Sequence, residues 1–370
     1  MKNIRDFCVF VFVAFYTVSA FAEGSNAASA VIRNGIVTGG KDRTYFHMAM
    51  DLQRNVAPGL EVLASEGSYR NIFRLADEPG VSMAIVQSDV LLYLREQARS
   101  RTDLVRYSES VERLQVMLPL HQEEIHVIVP RTSKLKYIHE LRNQRVFMGR
   151  PGSGPYITGQ ELFRMMFKEK PNVIDADSFH RGDPQPTLEI ELALSGLVNP
   201  GDVAGVGIDA VLLVGGQPFS AVAALEKSKT VAANYKFLTV DPENPITKEL
   251  FGPYRLTKLD NNYYPELLRG SASGDTLAVQ AYLVTVALGE PKRRAFVEQF
   301  AEKYCKKFDA LVADKNSHPK WKFVTWKPGT PFPRLVPGWK SVPQDVISRL
   351  TECRPTCVGI PHPTIPGKCI

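Results

Sequence analysis

The sequence is short of the residues that mark most catalytic and metal-bound proteins. It has five cysteines and seven histidines in 370 residues. No H-E-x-x-H pair occurs among them, which removes a common zinc-hydrolase pattern. A phosphate loop of the form G-x-x-x-x-G-K-[ST] and a dinucleotide G-x-G-x-x-G are both absent, so neither usual nucleotide cradle is available. The stretch "GRPGSGP" (149–155) is not a G-x-S-x-G nucleophile elbow, because Ser153 is misplaced in it. Ser133 and Lys136 match S-x-x-K, a pattern short enough to arise by chance, and no supporting motif accompanies it. His121 and His126 flank a strand hinge and read as structural. The net charge of +6 is spread along the chain, so nucleic acid is not an expected partner. Repeats of solenoid or propeller period and low-complexity tracts are missing too.

Long apolar runs are absent except at the start. Lys2 and Arg5 precede an apolar run from Phe7 to Phe15, and Ala20-Phe21-Ala22 supplies small residues at a cleavage site. Residues 1–22 therefore read as a secretory signal peptide, since the run falls short of the ~20 residues a spanning helix needs. The expected location is the periplasm, with no membrane-spanning segment. Cys8 lies inside the apolar run and is not a lipid acceptor. The remaining Cys305, Cys353, Cys357 and Cys369 read as two disulfides in an oxidising compartment, with three pairings open. A zinc site on Cys353 and Cys357 lacks a second close pair, so no metal is expected.

What the chain does have is a recurring unit: an apolar strand, a turn rich in Gly and Ser, then a helix of apolar period. Val31–Val37 leads through Thr38–Arg43 to Tyr45, Ala49, Leu52 and Val56 at helical spacing. Leu60–Leu63 leads through "SEGS" (65–68), and Val81–Val86 through Gln87-Ser88-Asp89, to further helices. Val146–Met148 breaks into Gly149, Gly152 and Gly154, and Ile208–Val214 turns at Gly215-Gly216-Gln217-Pro218. Strands alternating with helices imply an α/β fold with a parallel sheet. Two strand-like runs around a polar hinge at Gln122-Glu123-Glu124, and a strand at 235–240, read as crossings between two lobes. Lobe one is then 23–122 and 236–312, lobe two 123–235, and 313–370 a C-terminal extension. Leu283–Leu311 reads as helical, with Phe296, Phe300, Tyr304 and Phe308 as a packing stripe. The extension, with three tryptophans and many prolines, reads as extended chain laid on the body.

Five ordered motifs carry a family likeness: "TGGKDRTYF" (38–46), "SEGSYRNI" (65–72), "AIVQSDV" (84–90), "GRPGSG" (149–154) and "IDAVLLVGGQPFSAV" (208–222). Over residues 31–312 the chain resembles the TAXI-type solute receptors of tripartite ATP-independent periplasmic (TRAP) transporters. That resemblance implies a two-lobed type II periplasmic binding protein with doubly wound sheets and an interlobe ligand cleft. It also implies capture of a small organic acid or amino acid and delivery to the TRAP permease subunits, as a monomer that is neither enzyme nor cofactor-dependent.

By the same resemblance, Thr44 and Tyr45 face the ligand from the first junction, and Ser68 and Asn71 from the second. Gln87, Ser88 and Asp89 do so from the third, Ser153 and Gly154 from the fourth, and Gly216, Pro218 and Ser220 line the last wall. Arg150 stands where the family has a small residue, and reads as a bidentate carboxylate clamp. Lys41-Asp42-Arg43, Arg70 and the insert 196–207 also depart from the family pattern. The competing expectations are a ligand sensor for a membrane kinase, an exported enzyme using Ser153 or Asp89, and a structural or adhesive protein.

Overall fold

The computed structural model describes residues 34–100, 111–174, 186–199, 207–287 and 289–353. The leader, Cys357, Cys369 and part of the 196–207 insert lie outside the described residues. The chain opens with β1 (Gly35–Val37), α1 (Thr44–Asn55), β2 (Glu61–Leu63), α2 (Ser68–Asp77), β3 (Val81–Gln87) and α3 (Val90–Ser100). β1 pairs in parallel with both β2 and β3. Every residue of β3 is buried, as a parallel strand covered on both faces requires.

The long β4 (Leu114–Pro130) follows, then β5 (Arg145–Phe147), α4 (Gly154–Phe167), β6 (Asn172–Ile174), α5 (Pro186–Val198) and β7 (Ala210–Gly215). β5 pairs in parallel with β6 and β7. Each flank therefore places its first strand between its second and third, the same winding twice. α4 starts where Ser153 caps it, accepting from the Tyr156 N–H at 3.4 Å, with Pro155 in its first turn.

Next come α6 (Ser220–Lys227), α7 (Lys229–Ala232), β8 (Tyr235–Leu238), α8 (Pro245–Lys248), β9 (Arg255–Lys258), α9 (Pro265–Leu268) and β10 (Asp275–Val286). The chain closes with α10 (Pro291–Ala313), β11 (Lys340–Ser341) and α11 (Gln344–Thr351). The sheet order is β2-β1-β3-β10-β4-β7-β5-β6. Two antiparallel strands, β10 and β4, thus join the two parallel flanks. This is the expected α/β class.

Three strand and helix details differ from the sequence reading, and two assignments of larger segments differ as well. Gln122-Glu123-Glu124 is no hinge: β10 pairs residues 278–280 with them, so β4 runs unbroken for 17 residues. The run at 235–240 forms β8 against Val127–Pro130 of β4, and the strand spanning both flanks is β10, which pairs with β3, β4 and β9. Leu283–Val286 is the end of that strand. The helix begins only at Pro291, where Glu290 accepts from the Lys292 and Arg293 N–H groups. An apolar run such as "LAVQAYLVTV" carries no period, so its burial between two strands decides its form.

The core divides at the same two strands. Ile36, Leu118, Leu120, Ala281 and Phe300 pack in clusters of the first half, and Ile125, Val146, Leu238, Tyr254 and Val279 in one of the second. Residues 236–279, assigned to lobe one from sequence, contribute most of their buried apolar side chains to the second-half clusters. The extension is more than extended chain. Its 3₁₀ turn (Pro319–Phe323), β11 beside residues 115–116 of β4, and α11 are all built into the first half. Trp321, Trp326 and Trp339 are buried, and a Cys305–Cys353 disulfide joins α10 to the residues after α11.

Candidate functional site

In open α/β sheets ligands bind beyond the carboxyl ends of the strands, where the winding reverses. Here both reversal points face one another. The α2 start lies against the α4 start: a side chain at Gly67 would point 3.9 Å from Gly152 O and Gly154 N. Gly67 has φ +133°, a backbone state that suits glycine, and Gly149 and Gly152 on the opposite turn also have positive φ. The glycines let two turns approach closely enough for their N–H groups to share a seam.

Three of the five junctions meet at that seam. Ser68 is buried, and its Oγ accepts from the Gln87 N–H at 3.0 Å. Asn71 is fully buried, donates to Ile85 O at 2.7 Å, and accepts from Ser65 Oγ. The Gln87 amide lies directly over Gly154, where any larger residue would collide with it. Ser88 Oγ accepts from Gln280 N at 3.2 Å, and Ser88 O accepts from Trp339 Nε1 at 2.7 Å. Asp89 crosses the seam. Its Oδ2 accepts from Thr158 Oγ1 of α4 at 2.7 Å and from Tyr254 OH at 3.1 Å.

Burial without a cation pushes the Asp89 carboxyl up to about 7, against the pull of the Thr158 and Tyr254 hydroxyls, with the nearby Glu161 adding to the rise. The Tyr254 hydroxyl is held well above its ordinary range, first by burial and then by Asp89. Two buried acceptors at the seam, Gln87 Oε1 and Asp89 Oδ1, have no hydrogen-bond partner among the described residues. Such atoms are costly unless something donates to them.

The other two junctions meet a different group of residues. Tyr45 is buried and donates to Glu123 Oε2 of β4 at 2.7 Å, while Thr44 at the α1 start is half-buried. Gly216 is buried, whereas Pro218 and Ser220 are exposed. The Gln217 N–H donates to Glu124 Oε2 at 2.7 Å. Burial raises the Glu124 carboxyl, opposed by the Gln217 and Glu124 backbone N–H groups and by Lys320. Arg150 does lie beside the fourth turn, but it already holds a carboxylate: its Nε donates to Glu189 Oε1 of α5 at 2.6 Å, and Glu189 is buried.

Thr158, Tyr254, Glu189 and Lys320 were not singled out from sequence, and Glu123 was read only as part of a polar hinge. Thr158 alone had a signal, lying one helical turn after Gly154 on the face of the capped turn. His121 and His126 are both buried in β4. Burial drives His126 down to about 3, so its imidazole is neutral among Phe219, Phe237 and Tyr264. Among the described residues no cluster of metal-ligating side chains occurs and no helix is long and apolar enough to cross a membrane.

Residues 36–186 match the model of the NMT1-like family, 151 of the 370 residues. Among solved structures, the chain is similar to a TctC solute-binding protein from Polaromonas, at 14% identity over 78% of this chain and 87% of that one, with TM-score 0.42. It is similar to the periplasmic sulfonate-binding protein SsuA from Methylobacillus flagellatus KT, at 12% identity over 76% and 70%, with TM-score 0.41. A third likeness is the Candida albicans CA3427 gene product, described as exhibiting the generic periplasmic binding protein fold, at 9% identity over 78% and 79%, with TM-score 0.40.

Proposed function

We propose that the chain is an extracytoplasmic solute receptor of the TAXI type. In this reading a small organic acid or amino acid is captured at the seam between the halves and handed, by a monomeric receptor in the periplasm, to a TRAP permease. The observation that carries the reading is the convergence at the seam. Gln87 and Asp89 from the first half meet Gly154 and Thr158 of the second, with Ser68 and Asn71 fixing the first-half strand ends behind them, beside two helix starts and two buried acceptors without partners among the described residues. The helix N-termini suit a carboxylate, and the free Gln87 and Asp89 oxygens suit a donor on the same ligand. The partial match to the NMT1-like family over the segment that holds these residues is in keeping with it.

Binding works through closure. A ligand that contacts both halves stabilises the closed arrangement by its differential affinity for it. In this reading Arg150 holds the 149–153 turn against α5 through Glu189 and does not clamp the ligand itself. Ser88 supports the wall of the seam through Gln280 and Trp339, while Thr44, Tyr45, Gly216, Pro218 and Ser220 belong to the two junctions that meet elsewhere and take no part in this reading.

A thermal-shift panel of amino, keto and dicarboxylic acids tests the proposal. A true ligand present at a hundred times its Kd adds about 2.7 kcal/mol of stability, and the rise should vanish in Asp89→Ala. No shift with any member of the panel would overturn it.

A further inference from the structure

Among the described residues, the C-terminal extension reaches across to the second half through the Lys320 side chain. Its other anchors lie on the first half: Trp321 Nε1 and the His318 N–H donate to Asp51 of α1, and the Thr325 N–H donates to Leu120 O. From that platform Lys320 extends to the β7–α6 turn. Its Nζ donates to Gln217 O at 2.5 Å. The site is shaped for it, since a Cβ at Gly216 would fall 2.8 Å from that Nζ and 2.9 Å from Gln122 O. Lys320 is 8% exposed. Burial lowers its pKa, and the facing Glu124 and Glu123 carboxylates oppose that fall. The Phe323 ring lies 5.0 Å from the ammonium. Gln217 is fixed on the other side by Glu124, Lys258 and Asp260.

We infer that Lys320 is a positioning residue for closure, a brace carried by the extension that holds the β7–α6 turn of the second half to the first. The inference rests on the two-half reading above. An ammonium withdrawn from water and set on a carbonyl of the opposite half stabilises the arrangement in which both are present, and each opening must break it. The disulfide fixes the far end of the strap to α10, so the lysine is delivered from an anchored loop.

The test uses the full chain and two variants without any ligand. Lys320→Met keeps the aliphatic stem and removes the donor. Thr158→Val removes a donor to Asp89, a contact between the halves that Lys320 does not share. Hydrogen exchange of the peptide covering 210–220 and small-angle scattering are read on each, with near-UV circular dichroism to show that the fold is kept. Lys320→Met should speed exchange in 210–220 by about tenfold, the ratio expected for one charged hydrogen bond, and should enlarge the radius of gyration. Unchanged scattering, whatever the exchange, would overturn the brace. If Thr158→Val enlarges the molecule and Lys320→Met does not, only the brace fails. If neither does, the two-half reading fails with it.

Discussion

Asp89 and Glu124 are both buried carboxylates, one reaching across the seam and the other facing Lys320 of the extension, and they are held in different ways. Asp89 accepts from two hydroxyls, of Thr158 and Tyr254, aided by its own backbone N–H, and among the described residues no cation offsets its burial. Glu124 accepts from a backbone N–H and faces Lys320. A third carboxylate, Glu189, has an arginine directly upon it. Desolvation penalises a charged group wherever it is buried, and what differs is whether a cation is present to offset it. The seam is left poised between charged and neutral, whereas the β7–α6 turn is held by a lysine from the extension. A site that must accept and release a ligand gains from the first arrangement, and a fixed joint from the second.

That contrast can be broken most directly through pH. The Asp89 carboxyl rises from 3.8 to about 7 in the folded protein. At about 1.4 kcal/mol per unit this amounts to a few kcal/mol, on the order of 4. The stabilisation is full below pH 3.8 and is lost as pH rises through 7. His126, lowered to about 3 by burial, works in the opposite direction between pH 3 and 6.5. Denaturant unfolding of the wild type and Asp89→Asn from pH 4 to 8 separates the two. The variant should gain on the wild type steadily up to pH 7, and parallel curves would remove Asp89 from the argument.

Removing a cation from a buried carboxylate should come next. Arg150→Ala leaves the buried Glu189 carboxyl without its arginine, at a cost of about 3 kcal/mol, read as a fall in the denaturant midpoint. Arg150→Ala together with Glu189→Leu should recover most of it. If the single variant instead keeps full stability and loses only ligand affinity, Arg150 is the clamp that the sequence pointed to. Thr158→Val should cost about 2 kcal/mol, the value of a hydrogen bond to a charged acceptor, and the loss should shrink below pH 7 as Asp89 becomes neutral. Ser153→Ala should cost about 1 kcal/mol through the lost cap of α4, and a larger loss confined to the ligand-bound state would mark Ser153 as a direct contact.

The junctions were legible because their signals are local. A buried strand, a glycine turn and a capping residue are neighbours in sequence, so Gln87-Ser88-Asp89 and Ser153-Gly154 could be marked as strand ends before any contact was known. Their partners could not. Tyr254 reaches Asp89 across 165 positions, and Lys320 is one lysine among many until the fold sets it on Gln217. Arg150 was noticed for its place in the turn, but its partner lies on α5, 39 positions later. The strand pairing around β10 was unreadable for a related reason. Its residues are apolar on both faces, and only the neighbours β3 and β4 decide its form.

The first-half core also sets an order of events. Ile36 and Met48 share one cluster with Val342, Val346 and Leu350, and β11 lies alongside the start of β4. Segments about three hundred residues apart must meet before that core is closed, a long-range pairing that slows folding. Until those residues arrive, the opening strands have the cover of α1 and α2 but not that of the extension. In a chain released by stages the first-half core would therefore be the part completed last, once residues 342–350 had emerged.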